Sequence, residues 1–206
     1  MPQICSISVG KVKVINAEKE NLQQEIHSAI HKLPLSTLRA PNPIKVHHLG
    51  IEGDEQANLK VHGGIEKAIY VYPKEHYAFW AERMVKQRMM DQGQELQHGN
   101  FGENLTTEGF VETEVFIGDI WQVDQTVLQV TQFREPCFKF NIKMNYSGAA
   151  KIMVQSGYCG WYLRVLEPGI MAAGQQIKVK AGPRKLSIAN QSLDFYQRTG
   201  QPDLGI

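Results

Sequence analysis

The chain has 206 residues, of which 42% are hydrophobic, 21% charged and 9% aromatic, a globular composition that excludes disordered, collagen-like and coiled-coil classes. Lys and Arg number 22 against 21 Asp and Glu, so no overall field favours nucleic acid or an anionic membrane, and any anion site must be local. No run approaches the roughly 20 apolar residues of a membrane span, and the start MPQICSISVGKVKVINAEK lacks an apolar signal segment, so a cytoplasmic location is expected, without membrane or nucleic-acid partners.

The opening ICSISVGKVKVI is rich in β-branched residues with partial alternation, which predicts one or two strands around Gly10. From Glu18 to Leu33, the residues Leu22, Ile26, Ile30 and Leu33 recur at helical spacing before Pro34, and this predicts a helix. The three prolines of PLSTLRAPNPIKV predict a loop leading into a short strand. GIEGDEQANLKVHGG is polar and glycine-rich and reads as an irregular loop. KAIYVY reads as a strand, and Pro73 suits the first turn of a helix that carries Tyr77, Trp80 and Met84 on one face and runs to about Met90.

After FGENLTTEG, the runs VFIGDIWQV, TVLQVTQF, GWYLRVL and QIKVKAG are separated by Gly, Asp or Pro, the cadence of a β-barrel or compact sheet. A short helix in SGAAKIMVQSG interrupts them, with Ser147 as its expected N-cap and Gly157 just past its end. One more helix is expected from Ser187 to Tyr196. The organisation read from the sequence is a mainly β domain with a few peripheral helices over residues 1–183, followed by a short helical tail over 184–206.

Three cysteines, Cys5, Cys137 and Cys159, lack Cys-x-x-Cys spacing, which argues against a disulfide framework or a structural zinc site. Cys5 and Cys159 stand among apolar neighbours and read as core. Cys137 lies in Arg134-Glu135-Pro136-Cys137-Phe138-Lys139, where flanking cations favour the thiolate and Pro136 can end a strand and turn the thiol towards a cleft. A buried cysteine between two solvated charges would give the same hexapeptide.

A second constellation joins Gly53-Asp54 to Val61-His62-Gly63-Gly64 and Lys67. Paired glycines can aim their amides at an anion beside His62 and Lys67, although a glycine-rich turn would look alike. In the third, Asn100-Phe101-Gly102-Glu103-Asn104 offers amides and a carboxylate about one glycine, as recognition of a polar heterocycle such as a pterin requires. The pair His47-His48 on a strand would point to opposite faces and cannot easily chelate one metal.

In order, GIEGD, KVHGG with KAIYVYP, FGENL, IGD and REPC resemble the MOSC family, named for the C-terminal domain of molybdenum cofactor sulfurases, and most of all its stand-alone bacterial YiiM-type members. The resemblance covers about Leu49 to Ala181. It implies a MOSC-type β-barrel that binds the molybdenum cofactor in a molybdopterin form, with Cys137 as the thiolate ligand to molybdenum. It makes His62, Gly63, Gly64 and Lys67 candidates for holding the cofactor's phosphate or oxo groups, with Arg134 and Lys139 adding positive charge. Asn100, Gly102, Glu103 and Asn104 would face the pterin or shape the cleft, Asp54 would brace the glycine loop or hydrogen-bond at the metal, and Arg39 could reach an anionic cofactor.

The implied activity is reduction of N-hydroxylated compounds such as hydroxylamino purines, which detoxifies base analogues, with Cys137, Asp54 and His62 as the catalytic set. Pyridoxal phosphate is not expected. No flavin, haem or iron–sulfur motif is visible, so an external electron-transfer reductase is expected as partner, and a homodimer is compatible with the reading. Two other functions fit the same residues: a cofactor or persulfide carrier built on Cys137, and a hydrolase using His62, Asp54 and Cys137.

Overall fold

Strands form where side chains alternate between a buried and a half-exposed face. In the stretch Thr126–Phe133, Thr126, Leu128 and Val130 are buried while Val127, Gln129 and Thr131 are only partly so, and Trp161–Glu167 repeats the pattern with Trp161, Leu163 and Val165 buried. The computed structural model describes residues 1–19, 22–59 and 62–200. Its strands are β1 (Gln3–Val9), β2 (Lys13–Lys19), β3 (Leu22–Ser28), β4 (Leu33–Thr37), β5 (Ile44–His47), β6 (Gly50–Ile51), β7 (Ile69–Pro73), β8 (Leu105–Glu108), β9 (Ile120–Val123), β10 (Thr126–Phe133), β11 (Trp161–Glu167), β12 (Gly169–Met171) and β13 (Lys178–Lys180). The helices are α1 (Tyr77–Lys86), α2 (Phe138–Met144), α3 (Ala149–Ser156) and α4 (Ile188–Thr199).

Eight strands make one curled half-barrel sheet in the order β13-β9-β10-β11-β7-β8-β1-β4, and the smaller groups β12-β5-β6 and β2-β3 stand beside it. This is the mainly β, α+β architecture that the alternation predicts. Within the large sheet only β7 and β8 run parallel, and a parallel pair needs a crossover. The crossover carries α1 and then brings the FGEN turn back beside β7. Trp80, Trp121, Trp161, Tyr72, Phe101 and Phe140 are fully buried in the core, and the Trp80 indole N–H donates to the Tyr72 hydroxyl at 2.6 Å.

Several local expectations are corrected. The helix expected over Glu18 to Leu33 is instead the β2-β3 hairpin and the start of β4, with Ile15 paired to Ile26. Leu22, Ile26 and Ile30 are four apart, and a spacing of four keeps one parity on a strand just as it keeps one face on a helix. The proline-rich stretch contains β4 up to Thr37, and only the segment between Thr37 and Ile44 is loop. Helix α1 ends at Lys86 rather than near Met90. Gly148, not Ser147, caps α3, while Gly157 ends it in the left-handed region at φ 71° as expected. Helix α2, unforeseen, begins directly after Cys137 and stops at Asn145 in the left-handed region. Glu20 and Asn21 of the expected helix, Val61 of the second constellation and residues 201–206 of the expected tail lie outside the described residues. Among the described residues no helix is long and apolar enough to cross a membrane.

Candidate functional site

Beyond the half-barrel rim, four segments distant in sequence enclose one recess. The end of β3 and its following turn give Ser28, Ala29, Ile30 and Lys32; the loop after β6 gives Asp54, Gln56 and His62; the FGEN turn gives Gly102 and Asn104; the β10-α2 junction gives Arg134, Cys137 and Lys139. Lys67, Tyr70 and Tyr162 close it. The enclosed space is about 90 Å³, so a large ligand reaches it by one end and leaves its bulk in the open cleft.

Asp54 is the organiser of one wall. Its carboxylate accepts from the Gly10 amide at 2.7 Å, from the Lys32 ammonium at 2.5 Å and from the Asn104 amide at 2.9 Å. The side chains of Lys32 and Asp54 are 8% and 5% exposed, and burial pushes the Lys32 pKa down while Asp54 opposes that shift. Asn104 completes the link, receiving the Tyr70 amide and donating to the Ser8 carbonyl. Asp54 thus ties three segments together.

Arg134 is buried, yet no carboxylate of the described residues lies within ion-pair range of it. Its guanidinium donates to the Met153 sulfur at 2.7 Å and lies over the faces of Tyr70 at 5.3 Å and Phe140 at 4.8 Å. The Tyr162 side chain also hydrogen-bonds with it, and a buried guanidinium whose partners include no carboxylate favours an anion in the space beside it. Lys139 donates to the His27 carbonyl, and Lys67 lies over Tyr162 at 5.7 Å. Of the carboxylates on the lining, Asp54 is held by Lys32 and Glu55 turns to Lys11 and the Val12 amide. Among the described lining residues Glu135 then stands against Arg134 and Lys139, so the recess is cationic.

Cys137 is half-buried, with extended backbone ahead of α2, and its Sγ lies 3.9 Å from His62 Nε2. Desolvation in the cleft, then the charges of Lys139, Arg134 and Lys67, push the His62 pKa down to about 4. Although much of the residue faces solvent, the ring is therefore neutral at neutral pH and can accept a hydrogen bond from the thiol. The other two cysteines are core, as expected: Cys5 is 0% and Cys159 1% exposed, and burial pushes the Cys5 thiol up to about 12.

The structure sorts the remaining candidates. Gly63 and Gly64 shape the turn without lining the recess. A Cβ at Gly63 would stand 2.2 Å from the Gln56 amide oxygen, and the Gly64 amide already donates to that oxygen at 2.7 Å, so the expected amide nest is filled by a side chain of the protein. Gly102, at φ +81°, lets the FGEN turn approach Ile30, whose Cγ1 would lie 2.8 Å from a Cβ there. Glu103 is fully buried and accepts from the Tyr77 and Thr106 hydroxyls and from the Gly99 and Phe101 amides. It holds the FGEN turn, and burial raises its pKa. Asn100 bonds through its amide to Gln97 and lies off the lining, and Arg39 is exposed on the turn after β4, also off it.

Lys32, Gln56, Tyr70 and Tyr162 line the recess without having been singled out. Lys32 was hidden in the helix expected there. Tyr162 carried a signal, because it alternates with the buried Trp161 and Leu163 and so faces the opposite side of β11.

An outer lobe of about 520 Å³ opens from the recess and shares His62, Lys67, Glu135, Cys137 and Tyr162 with it. Gln132 and Phe133 of β10 and Asp194, Phe195 and Arg198 of α4 complete its wall. Helix α4 is firmly seated there: Phe133 packs against Phe195 and Tyr196 at 5.3 and 5.9 Å, the Phe133 amide donates to Gln191, and Ser187 caps the helix by accepting from the Asn190 amide.

The donor set suits a metal that brings most of its own ligands. Among the described residues no group of three or more His, Cys, Asp or Glu could hold a bare ion, whereas one accessible cysteine beside a buried guanidinium suits an anionic cofactor with a thiophilic metal.

Residues 58–178 match the MOSC domain. Protein YiiM of Escherichia coli is 36% identical over 145 residues, which are 70% of this chain and 62% of that protein, so the chain spans less than two thirds of that relative. The YflK protein of Bacillus subtilis is 34% identical over 90% of this chain and 76% of its own length, and a protein of Gibberella moniliformis named Reductase is 33% identical over 91% of this chain but only 31% of itself. The crystal structure of YiiM from Geobacillus stearothermophilus superposes with a TM-score of 0.73 at 32% identity, covering 96% of this chain and 85% of that one. The matched segment contains His62, Arg134 and Cys137, and with the shared half-barrel it makes the chain a member of the MOSC domain family.

Proposed function

We propose that the protein is a molybdenum cofactor-dependent reductase of N-hydroxylated compounds, with the Cys137 thiolate as the protein's ligand to molybdenum. The observation that carries this reading is the accessible Cys137 at the junction of a cationic recess and an open lobe, 3.9 Å from a neutral imidazole. The fungal relative named Reductase supports the reaction class, and the family supports the cofactor.

When bound, the cofactor supplies two-electron reduction at its metal, with electrons brought by a separate electron-transfer reductase. Reduction of an N-hydroxylamine to the amine and water consumes two electrons and two protons. Arg134, with Lys67 and Lys139, neutralises the cofactor's anionic groups. His62, neutral at neutral pH, cannot be the proton source there. It orients the Cys137 sulfur by accepting a hydrogen bond from the thiol, whose proton would pass to solvent when the sulfur binds the metal. The two reaction protons come from water through the outer lobe. Asp54, fully engaged by Lys32, Asn104 and Gly10, positions the wall rather than exchanging protons.

The test is elemental analysis for molybdenum, with pterin fluorescence after oxidation, on wild type and Cys137→Ser purified from cells that make the cofactor. Metal and pterin in the wild type, both lost in the variant, together with turnover of an N-hydroxylated substrate by an artificial electron donor, are expected. Loaded protein that does not turn over would be a carrier. Neither metal nor pterin in a cofactor-sufficient preparation would overturn the proposal.

A further inference from the structure

The recess and the outer lobe differ in what their side chains leave unsatisfied. In the lobe, Gln132, Glu135, Asp194 and Arg198 make no hydrogen bond or ion pair with other described residues, although Asp194 and Arg198 are one helical turn apart on α4. Two carboxylates stand there beside the Arg198 guanidinium, so these charges leave no positive surplus, and Phe133, Phe195 and Tyr162 supply flat apolar surface. A strongly anionic ligand would meet Asp194 and Glu135. A neutral planar heterocycle with neighbouring donor and acceptor edges would find a partner for each. The lobe's volume admits a bicyclic ring, and Cys137 and His62 form its inner end. Because α4 is anchored through Phe133 and Gln191, this wall is pre-organised.

We infer that the lobe between β10 and α4 is the substrate subsite, and that Gln132 and Asp194 are its specificity-determining residues. The Asp194 carboxylate accepts a ring N–H or exocyclic N–H, and the Gln132 amide pairs with the adjacent acceptor and donor. The N-hydroxyl group then points inward to Cys137. This inference rests on the reductase reading for the role of the inner end, but the binding it describes is measured apart from turnover.

The test is calorimetric titration of the cofactor-loaded protein with 6-hydroxylaminopurine, using wild type and the double variant Asp194→Ala with Gln132→Ala. Asp194 is exposed and Gln132 half-exposed, so unchanged melting temperature and molybdenum content should confirm an intact fold. A Kd raised at least tenfold in the double variant is the expected result, with little change for acetamidoxime, which has no ring to read. An unchanged Kd, or a wild type that does not bind the base, overturns the subsite. If the base binds through these residues but is not reduced, the subsite stands and the reductase reading falls. If it is reduced with the same KM by both proteins, the reductase reading stands and the subsite falls.

Discussion

The inner recess and the outer lobe share Cys137, yet they are built on opposite principles. The recess draws on segments from Ser28 to Tyr162, buries Arg134 and the Lys32–Asp54 pair, and leaves a surplus of positive charge. The lobe is a groove between one strand and one helix, where Glu135, Asp194 and Arg198 are exposed to solvent and leave no positive surplus. Burying charge is costly unless something answers it. The recess is therefore a place where the protein accepts a local penalty that a bound anion would relieve, whereas solvent carries that role in the lobe. Removing a charge should accordingly change stability or cofactor affinity strongly in the recess, and leave stability little changed in the lobe.

The largest effect is expected from Asp54→Ala. It leaves the Lys32 ammonium buried without its partner and strips the Asn104 and Gly10 donors, for a loss of about 3 to 5 kcal/mol, read as a lower urea midpoint. A loss within the range of ordinary surface substitutions, below about 0.5 kcal/mol, would show that the wall does not depend on this pair. Arg134→Met should separate stability from binding. In the cofactor-free protein it removes a buried charge with no carboxylate partner among the described residues, so stability should hold or rise, while each lost charge-assisted contact costs about 1.5 to 3 kcal/mol of cofactor affinity, about 10- to 150-fold in retention. Equal retention by both proteins would remove Arg134 from the anion site.

The smallest effect concerns pH. With a folded-state pKa near 4, below the ordinary histidine value of 6.5, His62 binds its proton more readily in the unfolded chain. Its contribution therefore lowers stability progressively as pH falls from about 6.5 to 4 and adds no slope above that window. The cofactor-free His62→Gln variant should lose less stability than wild type over this interval. Parallel stability curves would mean that neither desolvation in the cleft nor the three cations depress the ring's pKa, and the recess would no longer be distinguished by its environment.

Much of the architecture was legible because β-branched alternation and turn residues report local geometry directly, as in β10 and β11. Cys137 was singled out by the resemblance of its REPC motif to the family, since the flanking charges Arg134 and Lys139 alone fit a buried cysteine as well. The hairpin over β2 and β3 was not, since Leu22, Ile26 and Ile30 satisfy two periodicities at once and only pairing with Lys13–Lys19 decides between them. That ambiguity hid Ser28, Ile30 and Lys32, one whole side of the recess. Glu103 and Asn104 were found by composition, but their roles were not: a buried carboxylate gathering four donors and an amide spanning β1, β7 and Asp54 are properties of the closed structure. Helix α2 is seven residues long and follows directly on Pro136 and Cys137, too short for periodicity to announce it.

The contacts that close the recess have a temporal meaning as well. Asn104 reaches Asp54 across 50 residues, Cys137 reaches His62 across 75, and Lys139 reaches His27 across 112. Such separations impose large loop-closure entropies, and chains dominated by them fold slowly. During synthesis β1 has no β8 to pair with until residue 108 has emerged, and the recess lacks Tyr162 until β11 follows. The nascent chain thus passes through an interval in which Lys32 and the β7 edge that will pair with β11 are made but not yet enclosed. Any ligand of the recess meets a finished receptor only after β11 has emerged and paired with β7.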